Sequence, residues 1–126
     1  MEKRVLKFRA WDNREKEWVS VGFHIFGETT LFDMIGLYCL ENKGKDEDSL
    51  ERLNEIEVTQ FTGLHDKSGK EIYEGDILEH EYESEYGPIL HTDKVIYHGG
   101  AFYPICEKPE TEFKVIGNIY QNPELL

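Results

Sequence analysis

The 126-residue sequence is short of cysteine, of long hydrophobic runs and of positive charge. Its two cysteines, Cys39 and Cys106, belong to no CxxC pattern, which favours a reduced protein with two small buried side chains. No stretch approaches the roughly 20 apolar residues of a bilayer span, and the first ten residues contain no apolar leader. We therefore expect a cytoplasmic protein with no membrane segment.

The shortage of positive charge is pronounced, with 14 Lys and Arg against 26 Asp and Glu and a net charge of −12. So acidic a chain repels phosphate and anionic lipid, which argues against direct binding to nucleic acid or membranes. Solubility is the simplest interpretation of the charge. The alternatives are a basic protein partner, or an acidic mimic of DNA that blocks a basic host protein.

Catalytic signatures are also missing, since the sequence has no GxSxG, P-loop or GxGxxG pattern. Five histidines are spread singly, and His80 faces away from both neighbouring glutamates if it lies on a strand. We expect no catalytic residues, no cofactor and no metal site. The alternative is that folding gathers ligands, for example His80 with His91 or His98 across a hairpin, as in a metal-dependent hydrolase.

What the sequence does contain is a glycine-punctuated stretch from Gln60 to Leu78, around which the rest is arranged. It predicts a strand, a tight turn, a second extended piece and a turn into another strand. Asp66 and Ser68 are expected to bond the backbone of the first turn. The reversals are assigned to glycines because glycine adopts positive φ without steric cost; these are Gly63, Gly69 and Gly75.

The N-terminal part predicts a β-hairpin within residues 1–27, from strands Val5–Asp12 and Trp18–Phe23. Thr30 resembles a helix N-cap, and apolar residues at helical spacing predict a helix over Leu31–Glu41. Residues 42–54 are highly charged and are expected to form an exposed insertion. The helix and this insertion together make up residues 28–54.

Residues 55–126 predict a run of short strands with closely spaced turns, closing into a small SH3-like barrel or a half-open one. Gly99 and Gly100 indicate a tight hairpin, Pro104 marks a strand end, and Gly117-Asn118 suits a bulge. The fold class is α+β, mainly antiparallel β, in one domain over residues 1–126. The expected strands are Ile56–Phe61, Leu78–Tyr82, Thr92–Tyr97, Ala101–Cys106 and Phe113–Tyr120, with a loop over Glu83–Pro88.

Four residues are candidates for a binding surface: Trp11, Tyr73, Glu74 and Asp76. Tyrosine and tryptophan serve as anchors in protein interfaces, although cross-strand packing is the commoner role for any one of them. The two acids could form an acid–base carboxylate pair. The commoner role for such an acid is to accept backbone amides and hold the turn.

Three segments together resemble the YopX family of phage and prophage proteins: Leu6–Asp12, Gln60–Leu78 and Phe113–Leu126. The resemblance implies a small protein made in a bacterial host cell, and it offers no catalytic residues to transfer. The leading hypothesis is therefore a phage accessory protein that acts as a non-catalytic protein-binding or self-assembling module. Its expected partners are further copies of itself, or a host or phage protein.

Overall fold

The computed structural model of the chain describes residues 5–19 and 53–126. These residues divide into two compact units, one of residues 8–19 with 53–58 and one of residues 5–7 with 59–126. The helix expected over Leu31–Glu41 and most of the charged insertion lie outside the described residues. Within those residues there is no α-helix, and hence none able to cross a membrane.

The smaller unit contains the N-terminal hairpin, which the structure confirms. Strand β1 (Phe8–Asp12) pairs antiparallel with β2 (Glu17–Val19), with Trp11 directly opposite Trp18. The two indole rings meet edge to face at 5.0 Å. Asp12 closes the turn, because its Oδ1 accepts the amide of Arg14 at 2.9 Å. A short polar side chain after an alternating strand thus produces the reversal expected from the sequence.

The rest of the described chain is made of short strands and single 3₁₀ turns. The 3₁₀ turns are Leu53–Glu55, Ile105–Glu107, Glu110–Glu112 and Pro123–Leu125. The strands are β3 (Ile56–His65), β4 (Glu71–Tyr73), β5 (Asp76–Ser84), β6 (Gly87–Lys94), β7 (Ile96–His98), β8 (Ala101–Tyr103) and β9 (Lys114–Asn118).

The strands of the larger unit form antiparallel pairs that curl into a half-barrel. β4 pairs with β3, β7 pairs with β8, and β5 lies between β6 and β9. The register of β9 on β5 shifts by one residue, because Ile77 faces Gly117 while Leu78 faces Val115. The extra residue of this bulge is Ile116, directly before the Gly117-Asn118 pair where an irregularity was expected. The mainly antiparallel class is confirmed, and of the two barrel forms the half-open one is present.

The core of the larger unit is built from side chains that the turns bring together from distant parts of the sequence. Each is at most 8 % exposed, so burial of their apolar surface is the main source of stability here. Leu64 and Phe102 pack against the cluster from its edge. Its members are Ile72, Leu78, Val95, Ile105, Phe113 and Val115.

Asp66 holds the central turn together, as the sequence predicts. Its Oδ1 accepts the amides of Ser68 and Lys70, both at 2.9 Å, and its Oδ2 accepts the amide of Val115 at 2.9 Å. Burial by itself raises the pKa of this carboxyl, but the hydrogen bonds outweigh it and hold the pKa below its usual value. The three glycines of this stretch all have positive φ, between 86° and 89°.

Several features differ from the sequence-based expectation. Cys106, expected to be buried, is exposed. The single strand expected over Thr92–Tyr97 is divided between β6, which ends at Lys94, and β7, which begins at Ile96. The strand expected over Ala101–Cys106 ends at Tyr103, because Pro104 has no amide to continue a ladder. The loop expected over Glu83–Pro88 is instead a tight hairpin of two turn residues between β5 and β6. Strand β6 therefore begins five residues earlier than the strand predicted from Thr92 onwards. The longer β6 strand contains residues of the site described next.

Candidate functional site

The β5–β6 hairpin is closed by a short network of hydrogen bonds. Ser84 Oγ donates to the carbonyl of Gly87 at 2.7 Å and accepts the amide of Tyr86 at 3.2 Å. Gly87 has φ +105°, a conformation that strains any residue with a side chain. The ladder then continues without a break over eight cross-strand pairs, from Ser84–Gly87 to Ile77–Lys94.

This register places three potential metal ligands on one face of the hairpin. His80 on β5 lies directly opposite His91 on β6, and Asp93 follows two residues after His91. Side chains two residues apart on a strand share a face, so all three point the same way. Each offers one ligand atom, and these three atoms lie within 4.8 Å of one another.

Asp93 lies between the two imidazole rings. Its Oδ2 is 3.1 Å from His80 Nε2 and 3.2 Å from His91 Nε2. The rings themselves meet edge to face, with centroids 5.2 Å apart. Because His80 is only 6 % exposed while the His91 side chain is 49 % exposed, the cluster is anchored on one side and open to solvent on the other.

Two further residues fix the orientation of the buried ring. Phe113 packs edge to face on His80, with ring centroids 5.2 Å apart. Lys108 Nζ lies 3.5 Å from His80 Nδ1, the ring nitrogen that faces away from Asp93. An ammonium group is a donor only, so this contact suits a ring whose Nδ1 is unprotonated and whose Nε2–H donates to Asp93.

A surface cavity of about 350 Å³ adjoins the same hairpin. Glu79, Glu81 and Leu90 contribute to it, and of these Glu81 lies directly opposite Leu90 across the ladder. With three carboxylates against one ammonium group, the lining is acidic and attracts cations rather than anions. The complete lining is Lys67, Glu79, His80, Glu81, Leu90 and Glu112.

The hairpin also presents apolar side chains to solvent. Tyr86 at its tip is 94 % exposed and Leu90 on β6 is 62 % exposed, with Tyr82 and Ile89 partly exposed beside them. Within the described residues, β6 has one hydrogen-bonded neighbour, β5. The outer edge of an antiparallel strand carries backbone N–H and C=O groups that can pair with another strand.

The four surface candidates from the sequence do not form this site. Trp11 and Asp76 are buried, so neither offers a surface contact. The Asp76 carboxylate accepts the amide of Tyr73 at 2.8 Å, which is the turn-holding role considered for it. Tyr73 and Glu74 are half-buried and remain surface candidates. The ring of Trp11 packs on that of Trp18, which contributes to its burial.

Folding brings together one of the two histidine pairs that the sequence suggested as an alternative. His80 does meet His91 across a hairpin, whereas His98 lies on β7 with its ring 6.5 Å from that of Tyr103. Sequence reasoning missed Asp93. Its signal was the spacing His91-Thr92-Asp93, which puts both side chains on one strand face, but this spacing was hidden because His91 was assigned to the segment before the strand.

Outside the hairpin, Lys7 is a second group with a displaced pKa. Its Nζ donates to Glu71 Oε2 at 2.7 Å, and this hydrogen bond raises the pKa of the lysine above its usual value. Lys7 also lies over the ring of Phe61 at 5.6 Å. The ion pair is solvent-exposed, so the displaced pKa reflects an ordinary surface ion pair rather than a reactive amine.

Comparison with known proteins places the chain in a family. The sequence matches the family described as YopX protein over residues 7–126. It is also similar to the crystal structure of protein EF1440 from Enterococcus faecalis, with a TM-score of 0.59 and 28 % identity over 98 % of this chain and 99 % of that chain. No curated protein matches it. The chain therefore belongs to the YopX protein family.

Proposed function

We propose that the protein is a non-catalytic accessory protein that self-assembles through the outer edge of strand β6. The observation that carries this proposal is an eight-residue strand, β6, which is a sheet edge among the described residues and has exposed apolar side chains, Leu90 foremost among them. Long, exposed edge strands are templates for pairing with another chain. A phage or prophage origin, and action in the host cytoplasm, belong to the same proposal through the family resemblance.

The backbone of β6 suits this pairing. In a hairpin closed by two residues the flanking pair, here Ser84 and Gly87, is hydrogen-bonded, and bonded and non-bonded positions then alternate. The backbone groups of Leu90 and Thr92 therefore point to the free edge. Pro88 lies at the same kind of position, where its missing amide costs the β5–β6 ladder nothing.

The distribution of charge on the hairpin allows a second copy of the chain to pair with β6. Strand β6 carries one acid, Asp93, and one base, Lys94, which cancel, in a chain of net charge −12. The acidic residues of the hairpin, Glu79, Glu81 and Glu83, lie on β5, one strand further from the edge. Two copies can therefore pair antiparallel about a two-fold axis, with Leu90 opposite Leu90, without like charges facing each other directly.

Light scattering during size-exclusion chromatography tests the proposal. An edge-to-edge contact is smaller than a standard interface, so we expect a dimer that dissociates at about micromolar concentration. Leu90→Lys should give a monomer at every concentration, because it places two charges face to face. The matched control is Ile96→Lys, the same change at a similarly exposed residue on β7, which should leave the dimer intact.

A wild-type protein that stays monomeric up to several hundred micromolar, roughly two orders of magnitude above the expected dissociation constant, would refute self-assembly through β6. A dimer that both lysine variants disrupt equally would refute the assignment to this edge. A monomer that instead binds one defined basic host or phage protein through Leu90 would replace the second copy with that partner, and would also overturn the proposal.

A further inference from the structure

We propose that His80, His91 and Asp93 bind one divalent transition-metal ion such as Zn²⁺. Two imidazole nitrogens and one carboxylate oxygen form a donor set typical of such ions. This site is separate from the proposed assembly edge, because the three side chains lie on the hairpin face opposite to that of Leu90.

The ligand atoms already lie at nearly the distances that a bound metal ion requires. In a tetrahedral site with metal–ligand bonds of about 2.0–2.1 Å, neighbouring ligand atoms are roughly 3.3–3.4 Å apart. Asp93 Oδ2 already lies 3.1 Å from His80 Nε2 and 3.2 Å from His91 Nε2. The third distance, between the ligand atoms of the two histidines, is within 4.8 Å. The three atoms therefore lie close to the spacing of a metal site, and three protein ligands leave a fourth position open to water.

Neighbouring residues and strand pairing hold the three ligands in place. His80 is held by the ring of Phe113 and by its pairing with His91 on β6, and the β5–β9 ladder ends at the preceding residue, Glu79. His91 and Asp93 are two residues apart on one strand whose register is fixed over eight pairs. Ligands on rigid strands lose little conformational freedom on binding, and the exposed side of His91 gives an ion a path from solvent.

Lys108 lies against the buried ring, so metal binding at this site should depend on this lysine. A ring that binds metal through Nε2 carries its proton on Nδ1, where Lys108 Nζ now lies at 3.5 Å. Two donors cannot share that contact, and the ammonium charge repels a dication. Metal binding therefore requires Lys108 to move away, so this lysine should weaken the affinity. An adventitious surface histidine pair would have no such dependence.

The test is a titration of the full chain with Zn²⁺ against a competing chelator, followed by Co²⁺ substitution. We expect one ion per chain and a visible Co²⁺ spectrum of tetrahedral intensity. His91→Ala and Asp93→Asn should each lower the affinity at least about tenfold, the scale at which changes around a metal site act. Both residues are partly exposed, so their replacement should leave the fold intact, as far-ultraviolet circular dichroism will show.

Three variants complete the design. His98→Ala, which removes an exposed histidine outside the cluster, should leave the affinity unchanged. Lys108→Met should raise it several-fold. Leu90→Lys should leave it unchanged, so that failure of self-assembly and failure of metal binding remain distinguishable.

Binding that is not stoichiometric, or that His98→Ala weakens as much as His91→Ala does, would overturn the proposal. So would a Lys108→Met variant with unchanged or reduced affinity.

Discussion

Asp66 should be the most sensitive polar residue of the larger unit. Replacing it with alanine removes the two oxygens that accept three hydrogen bonds from backbone amides and one from the hydroxyl of Ser68. One of these amides, that of Val115, belongs to β9, 49 residues further along the chain. The same carboxylate therefore closes a local turn and attaches that turn to the last strand.

The expected loss of stability follows from where each donor lies. The Val115 amide is in a buried residue, and leaving such a donor unpaired costs about 1–3 kcal/mol. Ser68 and Lys70 are exposed, so water can replace part of the hydrogen bonding that their amides lose. By analogy with helix caps, the loss of these two bonds adds about 1 kcal/mol to the destabilisation. We therefore expect the free energy of unfolding to fall by about 2–4 kcal/mol for Asp66→Ala.

Urea unfolding followed by far-ultraviolet circular dichroism measures this loss. Tryptophan fluorescence is unsuitable, because the two tryptophans, Trp11 and Trp18, both lie in the smaller unit. With a slope of about 1.5 kcal/mol per molar urea, the midpoint should fall by roughly 1.3–2.7 M. Ser68→Ala is the matched control, since it removes only the 3.0 Å hydroxyl bond to Asp66. If the two variants shift the midpoint equally, the role assigned to the Val115 bond is wrong.

Three further predictions concern pH, close packing and surface charge. Because the folded-state pKa of Asp66 lies below its usual 3.8, the carboxylate stabilises the fold above about pH 4, and this stabilisation is lost as the pH falls below that value. The difference in urea midpoint between wild type and Asp66→Asn should therefore shrink from pH 5 to pH 3. A constant difference would contradict this prediction. Gly117→Ala would place a Cβ 2.5 Å from Asn122 Oδ1, which accepts a hydrogen bond from the amide of Asn118. We expect the free energy of unfolding to fall by about 1–2 kcal/mol and the melting temperature to fall by several degrees. An unchanged melting temperature would show that Asn122 moves away freely. Lys7→Met should leave the urea midpoint unchanged, since its ion pair is exposed, and a clear decrease would disprove that reasoning.

Much of the fold was predictable because the signals lie within a few residues of one another. Alternating side chains around a polar reversal predicted the β1–β2 hairpin, and Gly99-Gly100 predicted the β7–β8 hairpin. The β5–β6 turn was not predicted because Glu85-Tyr86 is not a common hairpin pair. The hydroxyl of Ser84 and the positive φ of Gly87 stabilise it instead.

The candidate site was less predictable for the same reason. Once β6 is paired with β5, the positions of His80, His91 and Asp93 follow from the register alone. Without that hairpin, the histidines are separated by ten residues and the carboxylate belongs to no pattern. The burial of Trp11 was likewise invisible, because an aromatic residue on a strand suits a core and a binding surface equally well.

The sequence by itself determined most of the places where the chain reverses, with the β5–β6 turn as the exception, because glycine φ angles and short polar side chains act over two to four residues. It determined the local half of the Asp66 network in this way. Only the tertiary structure decided how β5 pairs with β6 and β9 and in what register, since this depends on burying apolar residues from Ile72 to Val115 in one core. The bond from Asp66 to Val115 and the meeting of His80 with His91 are consequences of that packing.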